Sequence, residues 1–126
     1  MKANYQMEAL PKNGVQVTVE GALVRLLFDF KKVVPEDDES PRDTYDCESV
    51  DATGRTYGDI VSSIVNDRYS SDKVQAIMAN YAEAIDAESE IEAGKRSEYI
   101  AEYTAYQQFR KHAKEIAAIA VETLNV

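Results

Sequence analysis

Two periods divide the chain, and the change falls near residue 55. Met1 to Asn13 shows no clear period, and Pro11-Lys12-Asn13-Gly14 is turn chemistry. Val15, Val17 and Val19 then alternate with Gln16, Thr18 and Glu20, the pattern of a half-buried strand. Glu20-Gly21 supplies a turn. Residues 22–34 fit two periods. At period two, Val24, Leu26, Phe28 and Phe30 face inward while Arg25, Asp29 and Lys31 face out; at helical period, Leu23, Leu26, Leu27, Phe30 and Val34 form a stripe. Aromatic and β-branched content, and the hairpin with the preceding strand, favour a strand. Residues 43–51 read as a third strand with poor alternation, Tyr45, Cys47 and Ser49 on one face and Thr44 and Val50 on the other. Its charges suit an edge position.

From Thr56 the period is helical. Thr56 with Asp59 has the shape of a capping box, and the stripe behind it is Tyr57, Ile60, Val61, Ile64 and Val65. Asp67-Arg68-Tyr69 closes that helix, and Ser70 or Ser71 caps the next, whose stripe is Val74, Ile77, Met78, Tyr81 and Ile85. Asp86 to Glu92 stays helix-friendly but acidic, and Gly94 is expected to interrupt it. Ser97 then caps a final helix to Leu124, about 26 residues or ~39 Å long. Its apolar and aromatic positions are Tyr99, Tyr103, Tyr106, Phe109, Ala113, Ile116, Ala117, Ala120, Val121 and Leu124. The expected fold class is α+β: an N-terminal antiparallel β-meander of about three strands, then three helices, the last one long. Residues 1–126 are expected to form a single domain, with a β-rich part (1–54) and a helical part (55–126).

Composition narrows the partners. The 126 residues are 44% apolar and 29% charged, a globular balance. The net charge of −9 is spread over the chain: residues 1–54 hold 6 basic and 11 acidic groups, residues 55–126 hold 8 and 12. A nucleic-acid binder draws affinity from a basic footprint, so direct nucleic-acid binding is not expected. An acidic surface also disfavours anionic lipid, and no run nears the ~20 apolar residues of a membrane span. Without a signal-like start, the expected location is cytoplasmic as synthesised.

Catalytic signals do not emerge. The single cysteine, Cys47, lies between acidic neighbours that should raise its thiol pKa, and it reads as a small strand residue. His112, the single histidine, sits among Arg110, Lys111 and Lys114 and reads as solvated. One Cys and one His do not make a zinc site. Gly54-Arg55-Thr56-Tyr57-Gly58 lacks phosphate-loop spacing, and Glu36-Asp37-Asp38-Glu39 lacks the alternation and glycine of a calcium loop. The expectation is no catalytic residue, no metal and no cofactor. Two features point to a partner instead. Six of the eight tyrosines fall between Tyr57 and Tyr106, mostly on helical stripes, where packing in the core is the first reading and an interface, in which Tyr is enriched, the second. Arg110, Lys111 and Lys114 are the one local charge reversal, with Lys111 able to reach Glu115 one turn on. Tyr99, Tyr103, Tyr106, Arg110, Lys111 and Lys114 are therefore the candidate partner contacts, with a protein partner or a second copy expected.

Residues 56–118 also resemble a known group. The run Thr56-Tyr57-Gly58-Asp59-Ile60-Val61, then Ile64-Val65, Arg68-Tyr69-Ser70, and a Tyr-rich helix ending Phe109-Arg110-Lys111-His112-Ala113-Lys114-Glu115-Ile116-Ala117 is similar to small phage- and prophage-encoded proteins of gut Bacteroidetes. The resemblance implies a structural, assembly or tail-associated role, with possible virion association, and assigns no residue a chemical function. The expected function is a non-enzymatic structural or interaction protein. The alternative is a small ligand-binding or enzymatic α+β domain, with a pocket between sheet and helices in which His112 meets Cys47 or buried carboxylates. A third option, an acidic mimic of nucleic acid, requires residues 36–39 and 86–92 to align on one face.

Overall fold

The computed structural model describes residues 1–7, 9–33 and 44–125. Four strands, β1 (Lys2–Gln6), β2 (Gln16–Glu20), β3 (Leu23–Val33) and β4 (Thr44–Ala52), precede three helices, α1 (Tyr57–Arg68), α2 (Ser71–Ile85) and α3 (Ala93–Leu124). The fold is α+β, with one antiparallel sheet in the order β1-β4-β3-β2. The expected meander is β2-β3-β4. The strand beyond it is β1, from the stretch without a period, which pairs with β4 from Lys2↔Glu48 to Gln6↔Thr44. The expected edge strand, β4, is therefore interior. Most of β1 is exposed. Backbone pairing, not an apolar face, holds it, and such a strand leaves no alternation to read.

Residues 22–34 resolve in favour of the strand. Val24, Leu26 and Phe28 are fully buried on the helix-covered face, opposite Ala52, Val50 and Glu48 of β4. The alternation then breaks. Asp29 has φ +55°, and the register slips between Phe28↔Glu48 and Lys31↔Asp46, so Asp29 and Phe30 together oppose one residue of β4. This is a β-bulge with its first residue in the left-handed region. Phe30, expected inside, is only half-buried as a result. Gly21, at φ +60°, makes the turn from β2 into β3.

The helix starts follow the capping chemistry. Asp59 N–H donates to Thr56 Oγ1 at 3.1 Å, and Lys73 N–H donates to Ser70 Oγ at 3.2 Å. α3 departs from expectation, starting at Ala93 rather than after Ser97. Gly94 does not break it, because a first-turn residue sits where amides lack helical partners in any case. Arg96 fixes this start: its guanidinium donates to the carbonyls of Ala84, Asp86 and Ser89, drawing residues 86–92 into a tight connection instead of more helix. The 32 residues of α3 span about 48 Å.

The core lies between the sheet and the C-terminal half of α3. Val15, Val24, Leu26, Phe28, Val50 and Ala52 meet Ile60, Ile64 and Val65 of α1 and Phe109, Ala113, Ile116, Ala117 and Ala120 of α3. Ala113, Ala117 and Ala120 are fully buried, and their small side chains allow close packing of the helix. α1 packs on β4 and α3, whereas the main packing partner of α2 is α3. The N-terminal half of α3 and α2 thus form a helical hairpin extending from the core.

Candidate functional site

The tyrosines singled out in sequence sit along the seam of this hairpin. Tyr103 stacks on Tyr81 of α2, with ring centroids 3.6 Å apart and planes 7° from parallel. Tyr106 is buried and meets Tyr69 edge-on at 5.2 Å. Tyr69 also packs on Phe109 at 5.6 Å, and Arg68 lies 4.0 Å over that ring. Tyr99 is half-buried, with Lys95 Nζ 5.4 Å from its ring. Much of the tyrosine surface is therefore spent within the chain, and Tyr106 has almost none left for a partner.

The basic residues are arranged differently. Arg110 and Lys111 are exposed and Lys114 is half-buried. None of the three forms an ion pair among the described residues. Glu115, the expected partner of Lys111, instead approaches His112 Nδ1 at 3.9 Å. At the other end of the hairpin, Asp86, Glu88, Glu90 and Glu92 are exposed and likewise form no ion pair among the described residues, although the Asp86 carboxylate accepts from Glu88 N–H at 3.0 Å. Lys95 and Arg96 also lie at this tip, Lys95 paired with Glu98 and Arg96 bound to the connection's carbonyls, so the tip stays net acidic while the base is basic.

Between these charges lie apolar side chains outside the core. Met78 is 43% exposed, Ile85 60% and Ile100 39%. Met78 and Ile85 belong to the stripe read from sequence as core. That stripe is wider than the surface α3 offers, so Ile77 and Ala84 are buried while their neighbours are not. Ile100 falls outside the apolar series of α3 read from sequence, and that out-of-phase position was the signal for it.

His112 makes a side-chain contact from α3 to the bulge of β3. Its Nε2 lies 2.7 Å from Asp29 Oδ1, and its ring meets Phe28 edge-on at 6.4 Å. The left-handed backbone at Asp29 carries this carboxylate, expected to point away from the core, to α3. The pair rims a cavity of about 390 Å³ lined by Leu10, Pro11, Phe30, Ile116 and Ile119. His112 is held, not simply solvated, and its partner is Asp29, not Cys47. Cys47 is buried in β4, where burial first, then Glu48 and Asp46, push its thiol pKa up. A raised thiol pKa disfavours the thiolate needed for nucleophilic chemistry. No group of three or more potential metal ligands occurs among the described residues. Nor is any helix among them long and apolar enough to cross a membrane. Residues 36–39, needed for a nucleic-acid mimic, lie outside the described residues.

Compared with protein-family models, curated proteins and solved structures, the chain has no significant match in any of the three.

Proposed function

We propose that this chain is a non-enzymatic structural or assembly protein of a phage or prophage, associated with the virion or its tail, and that the α2–α3 hairpin is its contact arm. The observation that carries this reading is the uncovered apolar series Met78, Ile85 and Ile100 on an arm outside the core. Exposed apolar side chains grouped on a protruding element mark contact surfaces. The resemblance of residues 56–118 to phage- and prophage-encoded proteins supports the setting. The test is mass spectrometry of particles induced from a host strain encoding the chain, before and after Met78→Glu/Ile85→Glu is introduced. The chain is expected in purified particles or assembly intermediates, at a level lowered by the double substitution. Its absence from every such fraction overturns the assembly reading.

A second reading rests on the His112–Asp29 pair at the bulge beside its cavity. Strained backbone positions such as that of Asp29 cluster at functional sites, and a histidine held by a carboxylate is a common binding group. A fragment screen by NMR tests it. Fragments that shift the signals of residues 29, 30 and 112, and lose that effect in His112→Ala, support a ligand site; a blank screen removes it.

A further inference from the structure

Resting on the assembly reading, we infer that the partner of the hairpin is a second copy of this chain, docked antiparallel across a twofold axis near Ile100. The argument begins with which residues share a flank. Lys73, Ala76 and Asn80 of α2 and Glu102 and Ala105 of α3 line one groove of about 270 Å³, which marks one flank of the hairpin. Each helical residue turns the side chain by about 100°. With Ile77, Tyr81, Tyr99 and Tyr103 on the seam, that rotation carries Val74, Met78 and Ile85 to the other flank of α2. The same rotation carries Ile100, Gln107 and Lys111 to the corresponding flank of α3. The exposed apolar residues of both helices therefore lie on one side, with the stacked Tyr81 and Tyr103 between them.

That flank is self-complementary. Its tip is bordered by Asp86, Glu88, Glu90 and Glu92, its base by Arg110, Lys111 and Lys114, and neither group has an ion-pair partner among the described residues. From Ala93 to Lys111 the helix rises about 27 Å, and the midpoint is residue 102, between Ile100 and Tyr103. A twofold axis at that level places the acidic tip of each copy on the basic base of the other, and joins the two apolar strips at the centre. An isologous contact needs this reciprocity, residue i meeting j while j meets i. An unrelated partner would need only one end of the charge pattern; a second copy uses both. The product is an antiparallel four-helix bundle made of two hairpins, with a central apolar strip and charged ends that set register.

The test uses the full chain. Light scattering across a concentration series is expected to give twice the 14.1 kDa chain mass. Met78→Glu/Ile100→Glu should give a monomer with unchanged circular dichroism. Lys111→Glu/Lys114→Glu should raise the dimer dissociation constant by about tenfold, and adding Glu90→Lys/Glu92→Lys should restore it. In a Cys47→Ala background, Ile100→Cys near the axis should oxidise to a disulfide-linked dimer. A monomer at every concentration, or a dimer indifferent to the apolar and charge changes, overturns the proposal. If the chain is a monomer yet is found in particles and lost from them in Met78→Glu/Ile85→Glu, the assembly reading survives and self-pairing fails.

Discussion

At Asp29 a single backbone angle links the sheet to the only histidine. Left-handed backbone costs a non-glycine L-residue roughly 1–2 kcal/mol, less for Asp than for most. Here that conformation presents the carboxylate to His112. Asp29→Ala loses the contact and keeps the strain, whereas Asp29→Gly loses the contact and relieves the strain. Denaturant unfolding should therefore show the alanine variant less stable than the glycine variant by about 1 kcal/mol. Equal stabilities would mean that the angle is not maintained in solution. A second pairing at this scale is Arg25 with Asp51, joined by a 2.8 Å bond from Nε to Oδ1 on the sheet face away from the helices. The hydrogen bond and then the attraction of the guanidinium hold the Asp51 carboxyl below its usual range. A depressed folded pKa stabilises above the unfolded value of about 3.9 and is lost as pH falls through the lower folded value. In an NMR titration Asp51 should ionise at lower pH than an ordinary aspartate, and Arg25→Gln should move it back up. The stability difference between the two proteins should vanish in acid.

Individual elements divide into those that carry their own signal and those that borrow it from neighbours. β2, β3 and the helices were legible because a covered face imposes a period, as in Val24, Leu26 and Phe28, and because Thr56 and Ser70 are capping side chains at the correct spacing. β1 was not legible. Lys2 to Gln6 covers no apolar face, and its place depends on the free edge of β4, whose paired residues lie 38 to 46 positions away. The bulge was hidden for a similar reason, since period two cannot announce its own interruption. The His112–Asp29 contact joins positions 83 apart, and no local pattern encodes such a meeting. The arm was half-visible: the α2 stripe marks the helix, but Met78 and Ile85 in it are exposed, because how much of it α3 covers depends on packing. The start of α3 depends on Arg96, a residue that periodicity passes over. Arg96→Ala removes three donations to the connection, a loss of about 1–2 kcal/mol. Chemical shifts should then show residues 93–96 losing helical character while α1 and β3 are unchanged. A helix still starting at Ala93 would mean that Arg96 does not hold it.

Across the whole molecule, burial is uneven, and the unevenness follows the order of the elements. The sheet, α1 and the second half of α3 supply nearly all of one apolar cluster, to which α2 adds Ile77. α2, in contrast, has Ile77 and Ala84 as its only buried residues and packs mainly on α3. Segments with few buried apolar contacts open locally at a free energy below that of global unfolding. Amides of α2 and of the first half of α3 should therefore exchange with solvent faster than those of β3, β4 and α1. Uniform protection across the chain would contradict the division into core and arm. Concentration adds a second arm to this experiment, because association stabilises the state that associates. If two hairpins pair, protection of residues 71–107 should rise with protein concentration while that of β3 and α1 stays fixed. Met78→Glu/Ile100→Glu should abolish the rise without altering the core. A concentration-independent arm, slow or fast, would place its apolar flank outside any contact between copies, and only a different partner could then cover it.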